Sequence, residues 1–359
     1  MRPKLLLLAA LGTLCLAGCA KKVDRLTLDR VVPRGLAVPD TQKACALGES
    51  LAHVLAGASS AAHPPHRALV VAEATSALCA EDVAWEAELR GLRAGHDFDA
   101  RGPAARAAEI RDAREAAERA HALAAARFYR AFQQMTAQWG PVGDGDCPRI
   151  AARDQIGYLI GLISGTLALL HDRAGGATVG VPLDTFGRVA RGARCLDNDR
   201  WWHVPRALQA ASWAIVPGSG PDGVDPWAVL QTAATAGEQS GVRVARALQI
   251  LVAANADHSS DVQEGIHAFA TSLQQTPPAP EYALLDEYAR LVTLHQSDRL
   301  WTEARGYRTP KLGTLPSDTP AAPPAAPLGK NVFETDPFAE PPVAPSPSPA
   351  PAPEGEPQP

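Results

Sequence analysis

Between Asp40 and Arg308, apolar residues recur three and four positions apart, and the pattern breaks only at clusters of proline and glycine. That spacing lays an apolar stripe along a helix and lacks the strict alternation of a half-buried strand. Alanine, leucine, arginine and glutamate dominate the stretch, all strong helix formers, while alternating runs of valine, isoleucine or threonine are nearly absent. The spacing predicts helices over residues 41–57, 66–80, 82–95, 102–137, 149–172, 182–196, 203–216, 225–238, 241–256, 260–275 and 280–304. Asp225-Pro226 and Ser260-Asp261 read as helix starts, each a capping side chain followed by proline or an acid in the first turn. Short loops join successive elements, so neighbours are expected to pack as antiparallel pairs. The fold class that follows is all-α, an array of antiparallel helix hairpins arranged as a solenoid or bundle.

Both ends of the chain depart from this pattern. Sixteen of the 32 prolines lie between Pro310 and Pro359. Proline supplies no backbone N–H, so residues 309–359 are expected to form a disordered, partly polyproline tail. The tail carries six acids against two lysines, which leaves the body near charge balance within a formal net charge of −5. No basic face is present that would attract nucleic acid.

At the other end, Arg2 and Lys4 precede an apolar run, Leu5 to Leu16, that is too short to span a bilayer comfortably. The run closes in Leu16-Ala17-Gly18-Cys19. This order resembles a bacterial lipoprotein signal peptide with its lipobox. The resemblance implies cleavage before Cys19, a diacylglycerol on its thiol and acylation of the new amino group. Two or more acyl chains make a durable anchor, since each buried methylene adds about 0.8 kcal/mol. The expected organisation is a signal peptide over 1–18, a lipidated tether over 19–39, the helical domain over 40–308 and the tail over 309–359.

Cys15 would leave with the signal peptide and Cys19 would carry lipid, so four cysteines remain: Cys45, Cys79, Cys147 and Cys195. An even number in an oxidising compartment points to two disulfides, with three connectivities. The helix reading selects one of them. Cys45 lies near the start of the first predicted helix and Cys79 near the end of the second, so an antiparallel hairpin brings them together. Cys147, just before helix 149–172, and Cys195, at the end of helix 182–196, repeat the arrangement. The expected bonds are Cys45–Cys79 and Cys147–Cys195, each contributing about 2–4 kcal/mol. A four-thiolate zinc site would need close cysteine pairs, which are absent, so no metal is expected.

In the longest predicted helix, Arg114/Glu118 and Glu115/Arg119 are (i, i+4) pairs on the solvated side. Ile110, Ala113, Ala117, Ala120, Ala124, Phe128, Ala131 and Met135 form its inward stripe. The run Ile156 to Leu170 carries Gly157, Gly161 and Gly165 and is bounded by Arg153-Asp154 and His171-Asp172-Arg173. Its length suits a buried core helix, with the glycines admitting the backbone of a neighbour.

Motifs that carry chemistry are scarce. Gly218-Ser219-Gly220-Pro221-Asp222-Gly223 matches a dinucleotide fingerprint in letters, but a helical pattern precedes it instead of a strand. Asp144 and Asp146 lack the remaining ligands of a calcium loop, and His63 and His66 lack partners at zinc spacing. No cofactor is expected. The cluster Asp197-Asn198-Asp199-Arg200-Trp201-Trp202-His203 is the strongest candidate for a site. Trp201, Trp202 and His203, joined by Trp213 and Trp227 from neighbouring helices, read as a ligand or partner groove, against the alternative of ordinary core packing. No constellation reads as catalytic. An enzyme would rest on His203 with Asp197 or Asp199.

From Ala122 to Trp301 the segment order is similar to the T-component family of TRAP transporters, periplasmic lipoproteins of degenerate tetratricopeptide-like helix pairs. The matching stretches are Ala-Ala-Arg-Phe-Tyr-Arg-Ala-Phe, the small helix Gly157 to Leu170 and a helix ending Ala-Arg-Cys-Leu-Asp. Trp201 to Ser212, Asp225-Pro226-Trp227, Gly241 to Ala254 and the closing Gln-Ser-Asp-Arg-Leu-Trp complete them. A regular 34-residue tetratricopeptide signature is not visible. The resemblance implies a helical body that contacts a periplasmic solute-binding protein and holds an apolar ligand in a pore or groove. Ala20 stands where inner-membrane lipoproteins commonly carry aspartate, which implies the periplasmic face of the outer membrane. The expected function is an accessory, non-enzymatic part of solute uptake. The alternative is a scaffold for envelope assembly, with the tail island Asn331 to Phe338 docking in the groove of a partner.

Overall fold

The computed structural model describes residues 22–59, 64–96, 103–142 and 146–318. Cys19, the signal peptide, His63, Asp144 and the tail island Asn331 to Phe338 lie outside these residues. Among the described residues the chain forms eleven α-helices and no strand, as the apolar spacing requires.

The helices are α1 (Val32–Leu36), α2 (Thr41–Ala58), α3 (His66–His96), α4 (Pro103–Trp139) and α5 (Gln155–Ala174). They continue with α6 (Thr185–Ala193), α7 (Val204–Ile215), α8 (Pro226–Glu238), α9 (Val244–Asn255), α10 (Ser259–Gln275) and α11 (Ala283–Arg305). Cap chemistry sets several starts. Asp40 accepts the Lys43 N–H at 2.9 Å and Asp225 that of Trp227 at 2.9 Å. At α10 the start falls at Ser259, one residue before the expected cap, with Asp261 in the first turn paired to His258.

The two helices expected over 66–80 and 82–95 are one. Ala80-Glu81-Asp82 holds no helix breaker, and Glu81 is buried among other helices, so α3 runs unbroken for 31 residues. Cys79 therefore lies in the middle of α3, and still pairs with Cys45 because the start of α2 reaches that level. The bonds Cys45–Cys79 and Cys147–Cys195 both form, with Cα separations of 5.7 and 5.3 Å.

Consecutive helices pack on one another, as short loops demand. Contacts also join α3 to α5, α7 to α9 and α9 to α11, which stacks the hairpins into an array. The last helix, α11, then returns to pack against α3. The core runs along this array through Phe132, Tyr158, Leu162, Val189, Leu208 and Leu248.

The inward stripe of α4 is buried from Ala113 to Met135, but Ile110, expected in that stripe, is exposed. On its outer side Arg114–Glu118 and Glu115–Arg119 pair at 3.1 and 3.7 Å. The α5 glycines admit side chains, not backbone as expected: a Cβ on Gly161 would meet Met135 at 2.6 Å, and one on Gly165 would meet Phe132 at 2.6 Å. Backbone approach of the expected kind occurs at Gly48, where a Cβ would lie 2.8 Å from the Ala72 carbonyl oxygen. His171 and Asp172, read as the polar boundary of the run, are buried because each finds partners inside.

Both edges of the body lie further out than the spacing suggests. Residues 22–36, counted with the tether, are helical, with a π turn at Thr27–Val31 leading into α1. The wider turn ends two residues before Pro33, whose ring supplies no N–H to a regular helical ladder. Val32 and Leu36 join the core, and Arg67 grips Asp24 at 2.9 Å. After α11, Thr309 N–H donates to Asp298 Oδ1 and Trp301 Nε1–H to the Thr314 carbonyl, both at 2.9 Å, so the body continues to Asp318.

Candidate functional site

Trp201 and Trp202 sit in a turn between α6 and α7 whose backbone is forced. Trp202 and His203 both have positive φ, 53° and 59°, a conformation that costs residues with a Cβ about 1 kcal/mol or more each. Asn198 holds the turn: its side chain lies 2.6 Å from His203 Nδ1 and accepts the Arg206 N–H at 3.0 Å. The strain turns both indoles inward. Their rings meet edge to face at 5.4 Å, and Tyr282 packs on Trp202 at 4.5 Å.

Trp201 also forms one wall of a cleft of about 430 Å³. Leu28, Val32 and Leu36 roof it, Trp139 and Tyr282 complete the aromatic wall, and Arg67 and Arg200 stand at its polar side. Arg67 bridges Asp24 at 2.9 Å and Asp154 at 3.5 Å, closing the N-terminal segment over the cleft. Arg200 lies over the Trp201 ring at 5.2 Å. Leu36 and Val71 are shared with a smaller, wholly apolar cavity of about 60 Å³, which continues inward to Phe128, Leu284 and Tyr288.

The expected five-residue groove is not assembled. Trp202 lies behind Trp201, and neither Trp213 nor Trp227 lines the cleft. Trp213 lies nine residues beyond Val204 at the start of α7, about 14 Å of helix rise. It lies beneath the Arg206 guanidinium at 5.0 Å, while Trp227 stacks on His258 at 4.2 Å. Of the neighbouring acids His203 meets the exposed Asp199, at 3.7 Å, and Asp197 accepts the Arg200 N–H of its own turn. Gly218 to Gly223 forms the loop between α7 and α8 with no strand before it. The one group with metal-ligand spacing among the described residues is Cys45, Glu49 and Cys79, and its sulfurs are joined to each other. No helix there is long and apolar enough to cross a membrane.

What sequence reasoning missed is a buried run of titratable side chains between α3, α4, α5 and α11. Tyr288 Oη–H donates to Glu81 Oε1 at 3.0 Å, and the same oxygen lies 2.9 Å from His171 Nε2. His171 Nδ1 is 2.8 Å from His121 Nδ1, and His121 Nε2 is 2.8 Å from Glu88 Oε1. Glu88 Oε2 lies 2.8 Å from His295 Nε2, and His295 stacks on Trp85 at 4.7 Å. Two signals were present. Glu81 and Glu88 are seven apart on one face of α3, and His121 interrupts the alanine stripe of α4 between Ala117 and Ala124.

Burial pushes the Glu88 carboxyl up, but hydrogen bonds from His121 and His295 outweigh it and hold the group well below the usual carboxylate range. Burial holds the His295 imidazole below its usual value despite the Glu88 contact. Burial and the adjacent Glu81 raise the Tyr288 hydroxyl well above its own. Groups with lowered folded values favour the folded state above the unfolded value and lose that contribution as pH falls. The guanidinium chloride midpoint is therefore expected to fall on acidification, first below pH 6.5 through His295 and again below 4.5 through Glu88. His295→Phe is expected to make the first step smaller; a midpoint flat from pH 7 to 5 in the native chain would contradict this assignment.

Set against known proteins, no protein-family model, curated protein or solved structure matches the chain.

Proposed function

We propose that this protein is a lipid-anchored periplasmic binding protein and an accessory, T-component-like part of a TRAP-type uptake system. The observation that carries the reading is the aromatic-walled cleft beneath residues 28–36, which shares the Leu36 and Val71 wall with an apolar cavity. A chamber with an apolar interior and arginines on its polar side fits a small amphipathic organic solute, with its apolar part against Val71 and Trp201. The roof begins a few residues after Cys19, so the lipid would hold the mouth of the cleft near the membrane. The body then offers its helical surface to a solute-binding protein.

The test is a pull-down from detergent-solubilised envelopes after mild crosslinking, with mass spectrometry of the partners. A periplasmic solute-binding protein is the expected product, and Leu36→Trp, which adds bulk to the wall shared by cleft and cavity, should release any small molecule that copurifies with the native chain. Recovery of cell-wall or outer-membrane assembly proteins in its place would overturn the uptake reading.

A further inference from the structure

We propose that His121 and His171 share one proton between their Nδ1 atoms, so that the buried run from Tyr288 to His295 is a binding site for a single proton. The inference rests on counting and is independent of the uptake reading. Five contacts of 2.8–3.0 Å join Tyr288, Glu81, His171, His121, Glu88 and His295 in sequence. Two lone-pair atoms at such distances need a proton between them. Tyr288 supplies the first, and three neutral imidazoles supply three more. Four do not suffice for five contacts. Each Nε2–H of His121 and His171 is directed at a carboxylate, so the missing proton falls between the two Nδ1 atoms.

The surroundings suit a cation at that point. Glu81 and Glu88 of α3 flank the pair on either side, and the Glu88 carboxyl is held in its ionised form by its hydrogen bonds. Asp172, next to His171 on α5, accepts the Val179 and Val181 N–H groups at 2.9 and 2.8 Å. From α11, Tyr288 faces Glu81, and His295 faces Glu88 with Arg299 acting on its far side. The other nitrogen of His295, Nδ1, is buried without a partner, as a neutral imidazole that donates only through Nε2 would leave it. One positive charge thus sits between the buried Glu81 carboxylate and the part-buried Glu88 carboxylate, and buried charges need such counter-charges in order to persist. The pair is tied to four helices. Phe128 stacks on His171 at 5.5 Å, and Phe128 and Tyr288 both line the apolar cavity, which puts the proton one side chain away from whatever that cavity holds.

The experiment is nitrogen NMR on the full chain, purified in detergent with its histidines labelled with ¹⁵N, at pH 7. The expected result is a through-hydrogen-bond coupling between two imidazole nitrogens, one from His121 and one from His171. That coupling should vanish in His171→Gln, whose amide can still donate to Glu81. Unfolding the native chain in denaturant at pH 7.5 should also release about one proton more than unfolding His171→Gln, read with a pH indicator. Two imidazoles protonated only at Nε2, with both Nδ1 atoms bare, would overturn the proposal, and the native chain alone decides this if the variant does not fold.

Discussion

Replacing Asp286 with alanine is expected to destabilise the protein by about 3–5 kcal/mol, because it leaves a guanidinium buried with no counter-charge. Arg243 is fully buried at the start of α9. Its Nη1 donates to Asp286 Oδ2 at 2.8 Å and its backbone N–H to Asp286 Oδ1 at 2.9 Å. Its remaining donors go to Ser272 Oγ at 2.9 Å, the Ser272 carbonyl at 3.0 Å and the Thr276 carbonyl. Arginine cannot escape by releasing its proton, so the whole cost of the unpaired charge stays in the folded state. A loss of this size is a large share of the roughly 5–15 kcal/mol by which domains are typically stable. The double replacement Arg243→Met with Asp286→Leu should recover most of it, since an apolar pair of similar volume no longer buries a charge. Urea unfolding of the native chain and these two variants makes the measurement. A cost below about 1 kcal/mol for the single change would show that solvent reaches Arg243.

Trp201→Ala should be nearly as damaging, at about 3–5 kcal/mol. Trp201 is only 3 % exposed. Its ring contacts Trp202 and Tyr282 at 5.4 and 6.4 Å, and its indole N–H donates to Gln155 Oε1 at 3.2 Å. Truncation removes the aromatic contacts and also the wall of the cleft, so the surrounding α5 and α7 cannot collapse into the space without shifting Tyr282. Trp201→Phe keeps most of the packing and loses the donor, leaving Gln155 to turn to water, with an expected cost of about 1 kcal/mol. A double-mutant cycle with Trp227→Ala separates one aromatic cluster from two. The structure keeps Trp227 on His258, away from the cleft, so the coupling should fall within about 0.5 kcal/mol of zero. A coupling well above that would join the two tryptophans in one unit.

The features readable from the chain are those set by neighbours in sequence. Asp225-Pro226 starts α8 where its side chain caps Trp227, and the stripe from Ala113 to Met135 buries as its period requires. The disulfide partners were legible because hairpin connectivity constrains which ends of consecutive helices meet. Where a local signal was ambiguous, packing decided. Pro33 suggested a tether, yet the π turn before it lets residues 22–36 stay helical and cover the cleft. Glu81 and Asp82 suggested a surface turn between two helices, yet the Glu81 carboxylate is buried against His171 and Tyr288.

The candidate site shows the limit most clearly. Trp201 and Trp202 announce themselves by adjacency, but which of them faces the cleft follows from two left-handed residues that no apolar period reports. The local signals of the buried proton run, Glu81 and Glu88 seven apart and His121 within the alanine stripe, could not name its partners, because Glu81 and Tyr288, like Glu88 and His295, lie 207 residues apart. The chain by itself determined that the body is helical, the stripes most of its helices bury and the order in which neighbours pair, since period, caps and loop lengths are local properties. Only the tertiary structure decided that α11 returns to α3, because an apolar stripe specifies how much surface must be covered and says nothing of which distant helix covers it.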